Sequence, residues 1–516
     1  MGNLFVGLDA GTSTLKAVAF DLAGQPVAVA QRRNRHDAGP GGAATQDMPR
    51  TWDDCAEVLR DLGARVPGFA DRVAALGVTG QGDGCWLIDG AGDPVGPGWL
   101  WLDTRAAGLV AGLRGSEAEA IHFRATGTAL TACQQGPQLL WMQSHAPEML
   151  ARAATAFHCK DWLFFRMTGT RATDPCEACF SFGDFRTRAY DDGVIEALGL
   201  GPLRRLLPPI LDGLCSTLPL TAEAAARTGL RAGTPVALGY LDAACTGLGA
   251  GVLDGGQGFG CTILGSTGVH MKGMRVEDVV LPDLPTGYVM VMPVPGMVAQ
   301  MQTNMAGTLN LDWVLGLAEG LLQGLDQPVP DLIARLDGWL DDARPGPLYQ
   351  PYISTAGERG PFVDPHARAG FIGLTTQHGF ADLVGSVAEG LGMAARDCYA
   401  AMGGVPPQVR LTGGAARSVT LRRIMAAALG VPVRPSLRDE AGAAGAAMIA
   451  AVAVGAFPDM QAALTPWVSP SLGLPLEPDG AAALRQEQRY AHYLQARHQL
   501  APLWAAMAKD NERKDA

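Results

Sequence analysis

Three acidic residues stand where short apolar runs give way to small and hydroxylated residues. Asp9 closes the run that begins at Leu4, and Gly11, Thr12 and Ser13 follow before a second run, Leu15 to Phe20. Asp83 sits in Gly80-Gln81-Gly82-Asp83-Gly84, directly after the run Val73 to Thr79. Asp242 ends the stretch Pro235 to Leu241 and opens the small-residue stretch Ala243 to Gly247. Gly11 gives the first turn backbone angles closed to other residues, so its amides and the Thr12 and Ser13 hydroxyls can converge on an anion. A carboxylate there repels a phosphate unless a divalent cation lies between them. An ordinary hairpin with a solvated acid uses the same residues, and this turn alone leaves both readings open. Asp242 is open in the same way, as a helix cap or as a general base at a strand end.

Other stretches repeat or extend this chemistry. Phe259 to His270 is again an apolar run, a Gly265-Ser266-Thr267 turn and a second run. Its place near the middle of the chain predicts two related halves facing each other across a cleft. Val409 to Ser418 is a run ending in Gly413-Gly414, which lets a flat base or a phosphate approach the backbone, and a helix is expected over Val419 to Leu429. Trp99 to Arg105 sets Trp101 beside Asp103 and Arg105. An aromatic face with a few fixed polar groups suits the C–H face of a polyol, and simple core packing suits the tryptophans equally. Cys176 and Cys179 form the one close pair among ten scattered cysteines; with no second pair and no spaced histidines, reduced and packed cysteines are expected.

The elements that must position these residues follow from pattern. Short apolar runs bounded by turn residues read as buried strands, and Trp52 to Leu62 has helical periodicity. At 516 residues the chain is long enough for two or three domains with ample core. A net charge of −11 argues against nucleic acid or an anionic membrane as the main partner. No apolar run approaches the ~18 residues of a membrane span. No basic leader precedes the first strand, and Val6 stands where a myristoylation signal needs Ser or Thr. The expected location is the cytoplasm.

In this combination the motifs resemble the FGGY family of carbohydrate kinases, relatives of actin and hexokinase, over roughly residues 4 to 455. GLDAGTST at 7–14 is similar to the family's first phosphate motif, LGSTGV at 264–269 to the second, and LTGGAARS at 411–418, with the helix Glu440 to Ala447, to the adenosine motif. HCKDWLFFRMTG at 158–169 and GERGPFVDPHARAGFIGL at 357–374 resemble its two signatures. The resemblance implies an α/β protein of two ribonuclease H-like domains with a catalytic cleft between them, residues 1–250 holding the sugar or polyol and 251–516 most of the nucleotide. It implies ATP and Mg2+, with Asp242 as the base and Asp9, together with Asp242, holding Mg-ATP. It assigns the phosphates to Gly11, Thr12, Ser13, Lys16, Gly265, Ser266 and Thr267. Other nucleotide contacts fall to Gly307, Asn310, Gly413, Gly414, Ala415 and Ser418. A homodimer is compatible with it.

The substrate strand carries Gln81, Gly82 and Asp83, with Trp101 and Asp103 expected nearby. Many pentulose kinases of the family have Met-His after the glutamine, and glycerol kinases an arginine and a glutamate. A carboxylate accepts from two hydroxyls, whereas a ketone offers it no donor. Asp83 therefore predicts a polyol, and Gly82 is expected to leave room for one longer than glycerol; among family members the loop is most similar to that of erythritol kinases. A pentulose kinase and a non-catalytic nucleotide-binding regulator on the same fold are the alternatives. A long helix is expected over 480–508, with 509–516 a frayed tail.

Overall fold

The computed structural model describes residues 2–254 and 258–515. Leu4–Ala10 (β1) and Thr14–Phe20 (β2) form an antiparallel hairpin with Asp9 opposite Lys16. Pro26–Arg33 (β3) pairs antiparallel with β2, and Val73–Gly80 (β4) runs parallel to β1. Leu218–Pro219 (β5) and Pro235–Leu238 (β6) complete a six-stranded sheet in the order β5-β6-β4-β1-β2-β3. Strands β1 and β4 are buried on both faces, which is why they read as continuous apolar runs rather than alternating ones.

The second sheet repeats that plan. Gly260–Leu264 (β7) and Gly268–Arg275 (β8) form its hairpin. Tyr288–Val291 (β9), Met297–Asn304 (β10), Val409–Thr412 (β11) and Val433–Pro435 (β12) give the order β9-β10-β8-β7-β11-β12. Its strands β10-β8-β7-β11-β12 run in the same relative directions as β3-β2-β1-β4-β6. This doubled topology is the pair of actin-like domains that the resemblance implied.

The helices that matter for the site are Met48–Ala64 (α1), Cys159–Thr168 (α2), Pro175–Phe182 (α3), Asp242–Gly249 (α4), Leu309–Gly324 (α5), Val419–Leu429 (α6) and Ala441–Ala453 (α7). Helix α7 comes late in the chain but lies on the first sheet, against β1, β4 and β6. Two glycines permit that approach: a Cβ on Gly7 would stand 1.9 Å from the Ala443 carbonyl oxygen, and one on Gly77 2.0 Å from that of Ala446. Helices α4 and α7 pack along each other, and a single buried cluster joins Phe5 and Val18 to Leu248, Met271, Ile449 and Trp467. The expected division near residue 250 separates the two sheets in sequence, yet the packing crosses it.

The C-terminal helix Gly480–Asp515 (α8) continues past the expected break at 509. Lys509 to Lys514 contains no glycine or proline and keeps a helix-forming composition, so nothing stops the helix there. Only residue 516 of that tail lies outside the described residues.

Candidate active site

Two cavities meet between the sheets. One, of about 320 Å³, is lined by Asp9 and Lys16 of the first hairpin, by Thr412 and Gly413 at the end of β11, and by Glu440 and Gly442 at the start of α7. The other, of about 340 Å³, is lined by Thr12, Asp83, Trp101, Asp242, Thr267 and Arg359 among others. Thr246 and Ile263 belong to both linings, so the two spaces adjoin with Asp9 on one side and Asp242 on the other.

Asp242 is the first residue of α4 and accepts a hydrogen bond from the Ala243 amide at 2.7 Å. A helix start favours the ionised carboxylate. Burial outweighs it and, with the charge of Asp9, pushes the Asp242 carboxyl up to about 7. Asp9 is raised to about 6, again by burial, with Lys16 opposing and Glu440 adding to the rise. Lys16 itself pairs with Glu440 at 2.9 Å, tying the first hairpin to the start of α7. Two half-buried carboxylates at the junction of the cavities have the donor chemistry that a hard divalent cation takes. Among the described residues no cluster of three or more His, Cys, Asp or Glu side chains could hold a metal ion.

Asp83 carries two signs of a ligand position. Its φ of 55° is left-handed, a region uncommon for any residue but glycine although Asp enters it more readily than most. Its Oδ1 is buried without a hydrogen-bond partner, while Oδ2 lies 3.6 Å from the Cys133 sulfur. Burial raises its carboxyl to about 6, against the pull of His158 and Arg359. Trp101 is 38% exposed and lines the same cavity, its Nε1 donating to Thr12 Oγ1 at 2.7 Å. Thr12 in turn donates to Gln81 Oε1 at 2.9 Å, and Gln81 Nε2 donates to Gln46 Oε1 at 2.7 Å. The chain Trp101–Thr12–Gln81–Gln46 fixes the Gly11-Thr12-Ser13 turn against the Asp83 loop.

Several expected contacts are replaced by structural roles. Gln81 is buried and spent in that chain rather than facing the cavity. Asp103 is fully buried, chelated by Arg105 and accepting from the Ala44 amide at 2.9 Å, so its carboxylate is engaged in holding the Trp101 segment. Gly82 lines the cavity, and a Cβ there would stand 1.7 Å from Leu241 Cδ1, so the direction in which a side chain would project is taken by Leu241. Asn310 is buried in α5, donating to the Gly307 carbonyl at 3.1 Å and accepting from Tyr349 at 2.9 Å. Ser418 caps α6 through the Leu421 amide and donates to Asp337, which occupies its hydroxyl.

Of the other expected residues, Gly307 is buried, and the rest are at least partly exposed. The Gly265-Ser266-Thr267 turn is docked on the entry to α5, with the Gly307 amide donating to the Ser266 carbonyl at 2.7 Å. Thr267 faces the second cavity and Ser266 is exposed. Asn34 donates to the Gly11 carbonyl, and Ser13 lines a neighbouring basic recess with Arg33 and Arg35. Gly413 lines the first cavity, and Gly414 and Ala415 form the turn beside it. Cys176 and Cys179 are buried free thiols in α3.

Two features were not foreseen. Behind the Asp83 loop, Lys160 of α2 is completely buried and pairs with Asp161 and Asp174 at 2.6 Å each. His158 lies 3.1 Å from Asp161 and 3.5 Å from Glu177 of α3. Burial raises the Glu177 carboxyl to about 8, against the pull of His158 and Lys160. The run of ionisable residues inside the apolar HCKDW segment was the available signal. The second unforeseen feature is Arg359, a cation lining the cavity from the second domain.

The FGGY N-terminal domain model matches residues 4–249 and the C-terminal domain model residues 261–454. The chain belongs to the FGGY family of carbohydrate kinases. This FGGY kinase is 56% identical over 510 residues to an erythritol kinase of Brucella abortus, covering 98% of both chains. It is 30% identical to a xylulose kinase of Escherichia coli, over 97% of this chain and all of that one. A xylulose kinase structure from Rhodospirillum rubrum superposes with a TM-score of 0.87 at 26% identity, over 97% of this chain and all of that one. The fold of this kinase is thus the two-domain sugar kinase fold, and its reaction is phosphoryl transfer from ATP. Among the described residues no helix is long and apolar enough to cross a membrane.

Proposed function

We infer that this FGGY kinase phosphorylates a primary hydroxyl of a four-carbon polyol, erythritol first among them. The observation that carries the reading is the unpartnered, buried Oδ1 of Asp83 in the cavity that ends at Asp242. A carboxylate acceptor is matched by substrate hydroxyls, and a polyol offers one at every carbon where a ketose has a carbonyl that cannot donate; the relative at 56% identity bears the name erythritol kinase. The reaction belongs in the cytoplasm, where ATP is the donor.

The catalytic sequence assigns one task to each group. Asp83 and the face of Trp101 hold the polyol so that one terminal hydroxyl lies at Asp242. Asp242 accepts that hydroxyl's proton as the oxygen forms its bond to the γ-phosphorus and the bond from that phosphorus to the bridging oxygen breaks, leaving ADP. Thr12 and Thr267, on facing turns, position the transferring group from both walls. Asp9, with Asp242, would hold Mg2+, which when bound supplies positive charge against the phosphate oxygens. The Gly413 turn beside the first cavity leaves its backbone open to the nucleotide.

The reading is tested by ADP release with a panel of erythritol, threitol, pentitols, glycerol, xylulose and ribulose. Erythritol is expected to give the highest kcat/KM. A preference for either ketose over every polyol would overturn the polyol assignment in favour of the pentulose alternative.

A further inference from the structure

The cavity that holds Asp83 also holds Arg359, and nothing in the phosphoryl-transfer scheme uses it. Arg359 sits on a loop latched to the end of β10 at three points. Its Nε donates to Thr303 Oγ1 at 3.0 Å, Glu358 Oε1 accepts from the Met305 amide at 2.9 Å, and Asn304 Nδ2 donates to the Gly360 carbonyl at 2.8 Å. The guanidinium is therefore anchored through Nε, and among the described residues its two terminal nitrogens have no protein acceptor. Glu358 is not that acceptor: its Oε1 is taken by the backbone amides of Met305 and Arg359. Asp83, Cys133 and Tyr288 share the cavity with Arg359. Asp83 comes from the first domain and Arg359 from the second, so the donor and the acceptor stand on opposite walls.

Each hydroxyl of a polyol both donates and accepts. Asp83, when ionised, can only accept, and a guanidinium can only donate. A hydroxyl pair between them satisfies both, leaving neither charge unpartnered when the cleft excludes water. We propose that Arg359 is a specificity-determining substrate contact, its terminal nitrogens donating to the polyol hydroxyls farthest from Asp242 while Asp83 accepts from them. The assignment rests on the polyol reading above. It makes the substrate itself the bridge between the two domains, and it gives a four-carbon polyol a contact that glycerol, one carbon shorter, does not reach. Chain length is thus read by a residue of the nucleotide-side domain.

The test compares wild type with Arg359→Gln and Arg359→Lys, measuring kcat/KM for erythritol and for glycerol, KM for ATP and the melting temperature. Arg359→Gln is expected to lower kcat/KM for erythritol tenfold to a hundredfold, as for loss of a charge-assisted hydrogen bond. Glycerol should change less than threefold, so the preference for the longer chain collapses while KM for ATP stays within about twofold. Arg359→Lys, keeping the charge but not the fork, should fall between. A parallel loss on erythritol and glycerol, or a KM for ATP that rises with them, overturns the proposal. If Arg359→Gln does not fold, Thr303→Val, which releases the guanidinium from its anchor, must shift the same ratio in the same direction; an unchanged ratio overturns the proposal. A wild-type enzyme inactive on every polyol refutes the polyol reading instead. The variants are then read on xylulose against the shorter erythrulose, where an unchanged ratio refutes the role of Arg359.

Discussion

Replacing Asp242 by Asn removes a proton acceptor and a buried charge at once, and the two losses have opposite signs. Activity should fall by about 10²–10⁴-fold, the usual contribution of a general base. Stability should rise. The folded-state pKa of about 7 lies above the ordinary carboxyl value of 3.8, so the proton favours the folded protein. That advantage is complete below about pH 4 and is lost as pH rises through about 7. At pH 8 the ligand-free enzyme holds an ionised carboxylate at a cost of several kcal/mol, since each tenfold difference in proton affinity between folded and unfolded chain is worth about 1.36 kcal/mol. Asn keeps an oxygen to accept from the Ala243 amide and carries no charge. Thermal melts of ligand-free wild type and Asp242→Asn at pH 5 and pH 8 should therefore diverge. The variant should melt a few degrees higher at pH 8 and by less than half as much at pH 5. Equal melting differences at the two pH values would refute the argument from buried charge, and turnover within tenfold of wild type would refute the base.

Three further outcomes follow from named contacts. Asp83→Ala should lower kcat/KM for erythritol roughly tenfold to a hundredfold per lost hydrogen bond with KM for ATP unchanged; equal losses across all substrates would mean that the carboxylate only supports its loop. Gly82→Ala should destabilise by about 1–3 kcal/mol because its Cβ meets Leu241, and Leu241→Ala in the same chain should recover most of the loss; denaturant titration of the double-mutant cycle decides, and simple additivity would rule the clash out. Lys160→Met leaves Asp161 and Asp174 buried without their cation and should cost about 3–5 kcal/mol, read as a lower urea midpoint; an unchanged midpoint would show that the cluster rearranges at no cost.

What was legible in the sequence was local. The two hairpins with their Gly/Ser/Thr turns, the Gly413-Gly414 turn and helix α6 each follow from a few adjacent residues. The misreadings came where distant chain decides. The space beside Gly82 belongs to Leu241, some 160 residues away in sequence, and no pattern around 82 reports that. Asp103 looked available because its partner Arg105 is also its near neighbour, and only the Ala44 amide and the Trp99 ring under Arg105 show that the pair is closed on itself. Asn310 and Ser418 each have one partner close in sequence and one, Tyr349 or Asp337, that arrives from another element. Arg359 was hidden inside a signature read as a whole, because nothing in its neighbours marks which side chain turns toward the cleft.

The seating of α7 on the first sheet also has a consequence for how the protein is made. Strands β1 and β4 present Gly7 and Gly77 to a helix that is translated about 200 residues after β6 is finished. At 5–20 residues per second the ribosome needs roughly 10–40 s to supply it. During that interval the first sheet has an uncovered apolar face, and its burial must wait for the end of synthesis. Nascent chains stalled at residue 430 should accordingly be cleaved within residues 1–250 by a protease that spares the released enzyme, whereas chains stalled after α7 has left the exit tunnel should resist it. A first half already resistant at the earlier stall would mean that it closes on itself before its helix arrives.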